Sequence, residues 1–266
     1  MVNPLSFWRR FLARSNDDKV KVFGVAVLVA LVCAVTVSIT SVLLRPYQDA
    51  HLEAERQARM EVMLDTLPGL RTLMQEAGVT SLTTRLVDLE TGAFLPEPDP
   101  ADFDHRAATT NPEQSTAIPD EMDVADLRRR ALYAPVHFLE RDGDLLLIVL
   151  PVSGSGYQST IHALLALEAD LNTVAALTIT EQSETPGLGT RIEDPAWQAL
   201  WPGKAIADET GKIVITVVRG QATGPHEVDG ITGATRTTNG VSNMLHYWLS
   251  DHGFGVFLDL LRKEGI

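Results

Sequence analysis

The chain has 266 residues, of which 45% are hydrophobic, 6% aromatic and 21% charged, a composition that excludes wholesale disorder and fibrous repeats. Its 22 Lys and Arg against 35 Asp and Glu give a net charge of −13, which excludes a nucleic-acid binder that works by neutralising phosphates. The single cysteine, Cys33, excludes an internal disulfide framework and any multi-cysteine metal or iron–sulfur site built by this chain alone, so a redox role requires an organic cofactor.

Charge is unevenly divided. Residues 1–21 carry a net +3 and the remainder −16. Between them, residues 22–44 (VFGVAVLVALVCAVTVSITSVLL) hold no charge. As a helix this segment is about 35 Å long, enough to cross a hydrocarbon core of about 30 Å. It is longer than a typical signal-peptide core and lacks a small-residue cleavage site, being followed at once by Arg45 and Pro46. An uncleaved span is therefore expected. Five basic residues precede it and Arg45 follows, so the positive-inside rule puts the N-terminus in the cytoplasm and the acidic domain outside.

Beyond the span, residues 47–67 are proline-free and rich in helix formers, predicting a helical continuation. Residues 80–89 (TSLTTRLVDL) read as a strand, and the proline-rich stretch 96–123 as an irregular connector. From about residue 130 strand signals become dense. ALYAPVHFL and LLLIVLP flank the turn Arg141-Asp142-Gly143-Asp144, HALLALEAD and TVAALTIT flank Leu171-Asn172, and KIVITVVR covers 212–219. Two helices accompany them. One is PAWQALWP, with Asp194 as its cap, and the other is capped by Thr237 or Thr238, with Val241, Met244, Leu245, Trp248 and Leu249 on one face. The tail VFLDLLRKEG can form another short helix. The fold class expected is α+β, with a mainly antiparallel sheet and flanking helices behind a single N-terminal transmembrane helix.

Two segments are candidates for chemistry. In Glu184-Thr185-Pro186-Gly187-Leu188-Gly189, a fixed proline and two glycines allow backbone to lie against a flat ligand, although a plain surface turn has the same composition. Asp229-Gly230-Ile231-Thr232-Gly233-Ala234-Thr235-Arg236-Thr237-Thr238-Asn239-Gly240 precedes the long amphipathic helix, where free N–H groups and the positive dipole end favour a phosphate. A threonine that merely caps the helix is the competing reading. Neither a Walker loop nor a dinucleotide fingerprint is present, and the seven histidines lack H-E-x-x-H or zinc spacing. Gly154-Ser155-Gly156 fails the nucleophile-elbow spacing and reads instead as a tight bend. No catalytic or metal-ligating residues are therefore expected.

DGITGAT at 229–235 resembles the flavinylation motif Dxx[ST]GAT, and Thr237 to Val241 resembles its TxxNGV continuation. ETPGLG at 184–189 is the second hallmark of FMN-binding domains, in the expected order. With the N-terminal anchor followed by LRPYQ, the chain resembles the C-subunit family of Na⁺-translocating NADH:quinone reductases. The family of Rnf-type G subunits shares both motifs.

The resemblance implies one covalent FMN on Thr235, attached as a phosphoester by a separate flavin transferase that uses FAD and Mg²⁺, with Asp229, Thr232, Gly233 and Ala234 as its recognition sequence. It implies cofactor contacts from Glu184, Thr185, Gly187, Leu188, Gly189, Thr232, Gly233, Ala234 and Thr237. The 184–189 loop is expected to cover one flavin face and to stabilise its charge with N–H groups. Arg236 either screens the phosphodiester or is simply solvated. Where the family often has Leu-Trp, this chain has Tyr157-Gln158.

The organisation implied is a cytoplasmic segment (1–21), a transmembrane helix (22–44), a helical stalk and connecting region (45–129), an FMN-binding domain (130–254) and a C-terminal tail (255–266). The setting implied is the bacterial inner membrane with the main domain periplasmic. The partners are the other membrane and peripheral subunits of a six-subunit, NADH-oxidising, quinone-reducing and Na⁺-exporting complex. A stand-alone extracytoplasmic flavoprotein reductase and a non-redox anchor protein are the alternatives from other classes.

Overall fold

The computed structural model describes residues 13, 18–19, 21–36, 38 and 82–265. The chain divides into two compact units, 1–58 and 59–266. In the first, residues 21–36 are helical and their large apolar side chains, Phe23 and Leu31 among them, are exposed. No helix among the described residues is long and apolar enough to cross a membrane. Most of the expected span after residue 36, and all of the stalk expected over 47–67, lie outside the described residues.

In the second unit, six antiparallel strands form one sheet in the order β2-β1-β5-β6-β7-β8. They are β1 Thr83–Asp88, β2 Phe94–Leu95, β5 Tyr133–Arg141, β6 Asp144–Ser155, β7 Thr160–Glu168 and β8 Val174–Glu181. The β5–β6 hairpin closes where expected. Asp142 and Gly143 have φ of 56° and 91°, the left-handed pair that a tight hairpin turn demands and that Asp-Gly supplies at little cost. Period-2 alternation then puts Ala134, Val136 and Phe138 of β5, Ile148, Leu150 and Val152 of β6, and Ile161, Ala163 and Leu165 of β7 into one buried cluster.

Onto that cluster pack α3 (Thr235–Trp248) and α4 (Gly255–Glu264), preceded in chain order by α1 (His105–Thr110) and α2 (Pro195–Gln198). The expected stripe of Val241, Met244, Leu245, Trp248 and Leu249 is buried, and the tail helix adds Phe257, Leu258 and Leu261. Each such side chain contributes about 1.5–3 kcal/mol by leaving water. Hydrogen bonds fix the docking of α3. Trp248 Nε1 donates to the Ser153 carbonyl at 2.7 Å, and Ser242 Oγ accepts from the Val217 amide at 2.8 Å. β1, which precedes residue 130, and α4, which follows residue 254, belong to this same sheet and core.

Some local expectations change. The connector over 96–123 contains α1, because the Asp104 carboxylate accepts from the Arg106 and Ala107 amides, both at 3.0 Å, and it contains β3 (Ser115–Ala117), paired with β4 (Arg129–Ala131). KIVITVVR yields the two-residue strand β9 (Thr216–Val217), paired in parallel with β10 (Glu227–Val228), and an isolated bridge from Ile213 to Ala207. The Val214 and Ile215 amides both donate to Ile206 O instead of to a long neighbouring strand. Asp194 precedes α2 but makes no capping bond, its carboxylate lying 3.4 Å from Arg191 Nε. The long helix begins at Thr235 with Ala234 at the cap position, so neither Thr237 nor Thr238 caps it.

Contact between β6 and α3 depends on Gly154, where an added Cβ falls 2.8 Å from Met244 Cβ and 3.2 Å from Met244 Cα. Gly154→Val is expected to destabilise the domain by about 1–3 kcal/mol through overpacking, read as a lower urea midpoint. An unchanged midpoint would show that the helix is not seated on this strand.

Candidate cofactor site

The two candidate segments meet through a buried carboxylate. Glu184, three residues after the end of β8, is 3% exposed, a burial that is unfavourable for a charge unless it is fully hydrogen-bonded. Its oxygens accept from the amides of Tyr157 (3.1 and 3.0 Å), Gln158 (3.0 Å) and Ser159 (3.1 Å), and from Ser159 Oγ at 3.3 Å. Thr237 Oγ1 is the fifth donor, at 2.6 Å. Burial by itself raises the carboxyl pKa, but the Thr237 hydroxyl and the Gln158, Tyr157 and Ser159 amides outweigh it and hold Glu184 below the usual glutamate value of 4.5. Glu184 is thus a clip joining the β6–β7 turn, the 184–189 loop and the first turn of α3, with its acceptor capacity taken up by protein.

Glycines make this closeness possible. A Cβ on Gly189 falls 2.7 Å from Glu184 Cβ and 2.8 Å from Thr237 Oγ1, and one on Gly156 collides with the Glu184 carboxylate. The role of Tyr157-Gln158-Ser159 as the amide cradle for Glu184 is not among the sequence-based expectations. Gly156, with no Cβ beside three consecutive amides, was the available signal.

At the start of α3 the threonines separate by role. Thr237 is committed to Glu184, and the buried Thr238 hydroxyl bonds to the Ala234 and Thr235 carbonyls, both at 3.2 Å. Thr235, half-buried at the first helical position, has no hydroxyl partner among the described residues. No side chain caps this N-terminus, so its first-turn N–H groups lack intrahelical acceptors and sit at the positive end of the helix dipole.

The loops touch at Leu188 and Gly233. Gly233 has φ of 85°, a left-handed conformation, and a Cβ there comes 2.9 Å from Leu188 Cδ2. Leu188 is 42% exposed, and Thr232 and Gly233 are exposed beside it. Ala234 is buried, while Thr185 and Gly187 belong to a self-contained turn. In that turn the Leu188 amide donates to Thr185 O at 3.1 Å and the Gly187 amide to Thr190 Oγ1 at 3.0 Å. Those two N–H groups therefore have acceptors within the turn itself. Asp229 also acts internally, accepting from the Ala222 amide at 2.7 Å.

Next in the chain, Arg236 places its guanidinium carbon 5.3 Å from the centroid of the Tyr157 ring. Both residues line an open cavity of about 290 Å³ together with Val124, Asp126, Asn239 and Gly240. A cation in the first turn of a helix is disfavoured by about 0.3–1 kcal/mol, and an exposed cation–π contact returns about 0.5–1 kcal/mol. The two nearly cancel, so fold stability does not explain an arginine here.

This arrangement of an uncapped helix N-terminus, a free threonine hydroxyl and two abutting glycine loops lies in a region, residues 156–250, that matches the FMN-binding domain family. Over 256 residues the chain is 39% identical to the C subunit of a Na(+)-translocating NADH-quinone reductase from Pseudomonas aeruginosa, covering 94% of this chain and 98% of that one. The corresponding C subunit from Vibrio alginolyticus is likewise 39% identical, with the same coverage. The chain belongs to the family of Na⁺-translocating NADH:quinone reductase C subunits. A crystal structure of NqrC from Shewanella oneidensis superposes with a TM-score of 0.67 at 33% identity, spanning 73% of this chain and 96% of that one. The mixed α+β fold with its antiparallel sheet is thus common to both family members.

In this C-subunit family member the Glu184 clip has a pH signature. Since its folded pKa lies below the unfolded one, the unfolded chain takes up the proton first, and the clip's stabilisation is complete above about pH 4.5 and lost progressively below it. Glu184→Gln, which leaves donors facing an amide, is expected to lose about 1–3 kcal/mol at pH 7 and to show a shallower acid limb in denaturant titrations. An identical acid limb in both proteins would remove Glu184 as its source.

Proposed function

We propose that Thr235 carries a single FMN through a phosphoester to its Oγ1, and that this group is the electron carrier of the chain. The chain is an FMN-carrying electron-transfer subunit of the Na⁺-translocating NADH:quinone reductase. The observation that carries the attachment is the sorting of hydroxyls at α3. Thr237 and Thr238 are buried and bonded, whereas Thr235 stands unbonded at an uncapped helix N-terminus, within the flavinylation-like string 229–235.

The residues present fit the group. First-turn N–H groups and the dipole end of α3 suit a phosphate ester, and the exposed Leu188, resting against Gly233, offers an apolar surface for one face of a flat ring. Glu184 and Thr237 do not contact the ligand in this reading but hold the loops that do. Thr185, Gly187 and Gly189 shape the 184–189 loop, and Thr232, Gly233 and Ala234 present Thr235. Attachment balances as an exchange with FAD. The phosphorus–oxygen bond to Thr235 Oγ1 forms, the pyrophosphate bond breaks, AMP leaves and the hydroxyl proton passes to solvent, catalysed by a separate Mg²⁺-dependent flavin transferase. Bound flavin supplies one- and two-electron exchange that no side chain of this chain provides.

The same proposal includes the setting. Residues 22–44 span the bacterial inner membrane with the N-terminus cytoplasmic and the acidic domain periplasmic, supported by the charge-free run and the basic residues before it. NADH oxidation, quinone reduction and Na⁺ passage belong to the other subunits of a six-subunit assembly. Agreement with C subunits over 94% of the chain favours this over an Rnf-type G subunit or a stand-alone reductase.

The full chain, produced with a flavin transferase present, is expected to gain the mass of one FMN less one water, and Thr235→Ala to gain nothing. A gain that persists in Thr235→Ala would place the flavin elsewhere. No gain in either protein, with the transferase shown active on a control substrate, would sink the covalent reading.

A further inference from the structure

Arg236 directly follows the attachment residue and lines the same cavity as Asp126. Among the described residues it forms no ion pair. Its contact is the Tyr157 ring, 5.3 Å away. That ring, although 51% exposed, stands on a fixed base, since the Tyr157 amide donates to both oxygens of the buried Glu184 at 3.1 and 3.0 Å. The separation of ring and helix is fixed as well. A Cβ on Gly240, one turn along α3, falls 3.1 Å from Gly156 Cα and collides with the Ser155 carbonyl. Arg236 is thereby held in the cavity it shares with Tyr157, Asp126 and Asn239, on the positive end of a helix dipole where the fold gains nothing from a second positive charge.

An anionic group at that N-terminus reverses this balance. The Gly187 and Leu188 amides are occupied within their own turn, and the nearby Glu184 is a carboxylate, so Arg236 is the positively charged side chain adjoining Thr235.

We propose that the Tyr157–Arg236 pair sets the reduction potential of the flavin attached at Thr235, by holding a positive charge where it stabilises the negative charge gained on reduction. The proposal rests on the reading of Thr235 as the attachment residue. Tyr157 is the positioning residue and Arg236 supplies the field. This goes beyond screening of the phosphodiester, because the charge that matters here is the one that appears on the flavin when it is reduced.

The test is a redox titration of the flavinylated full chain, following flavin absorbance as the solution potential is stepped, for the wild type, Arg236→Gln, Arg236→Lys and Tyr157→Leu. Arg236→Gln is expected to lower the potential, shifting the reduced-to-oxidised ratio at fixed solution potential about three- to tenfold toward oxidised, as expected for a unit charge near a partly solvated site. Arg236→Lys retains most of the wild-type potential, and Tyr157→Leu, with the charge present but unheld, falls between wild type and Arg236→Gln. Added salt narrows the difference between wild type and Arg236→Gln. Equal potentials for wild type and Arg236→Gln overturn the proposal, and Tyr157→Leu matching wild type overturns the positioning role. Intact mass separates the two levels of inference. A wild type without FMN fails the attachment reading itself, whereas loss of FMN only in Arg236→Gln assigns Arg236 to attachment and overturns its role in the potential.

Discussion

A buried carboxylate with five donors holds this site together. Glu184 reaches the Tyr157–Ser159 turn, 25 to 27 residues before it, and Thr237, 53 residues after it. Among the described residues, no other side chain of the 184–189 loop makes comparable long-range bonds. Burying a carboxylate is strongly unfavourable unless its lone pairs are filled, so the position tolerates a charge only in this assembled geometry. The requirement runs in both directions. Among the described residues the three amides at 157–159 find their acceptor in this carboxylate, and Gly156 and Gly189 must lack side chains for it to fit. Loops that would otherwise be independent surface turns become parts of one construction, with Thr235 at its edge.

How legible this was depended on which physical signal each element uses. Period-2 alternation and the Asp-Gly turn expose β5 and β6, because both are local properties of the chain. The same alternation misled over 212–219. Ile215 is buried and Ile213 packs against the same core, but the backbone bonds of this stretch go to the Ile206, His226 and Val228 carbonyls, and apolar spacing does not reveal where N–H groups find acceptors. Helix α1 was hidden among prolines and acids, and only its capping aspartate, Asp104, announces it. At the site, the motif strings were readable and correctly paired two distant segments. Their division of labour was not. Thr235, Thr237 and Thr238 look equivalent in sequence, and their different fates follow from Glu184 arriving from another part of the chain.

The geometry also bears on why a tether suits this fold. Ligand sites that hold small molecules by contact alone bury about 70–90% or more of the ligand. Here the surfaces around Thr235 are open, with Thr232, Gly233, Leu188, Arg236 and Tyr157 all exposed. An exposed loop pair and one helix N-terminus offer too little enclosure to retain a free flavin at low concentration. On the proposed attachment, one covalent bond replaces that enclosure, since it makes every remaining contact intramolecular. Openness then becomes useful, because an electron carrier must let donor and acceptor approach its ring, and a deep pocket would keep them apart. It also limits how the protein can tune the cofactor. In an open site, desolvation contributes little and fixed charges at close range contribute most. On the proposed attachment, the charges beside Thr235, above all Arg236 with its Tyr157 support, are then the ones that act on the potential without changing the fold.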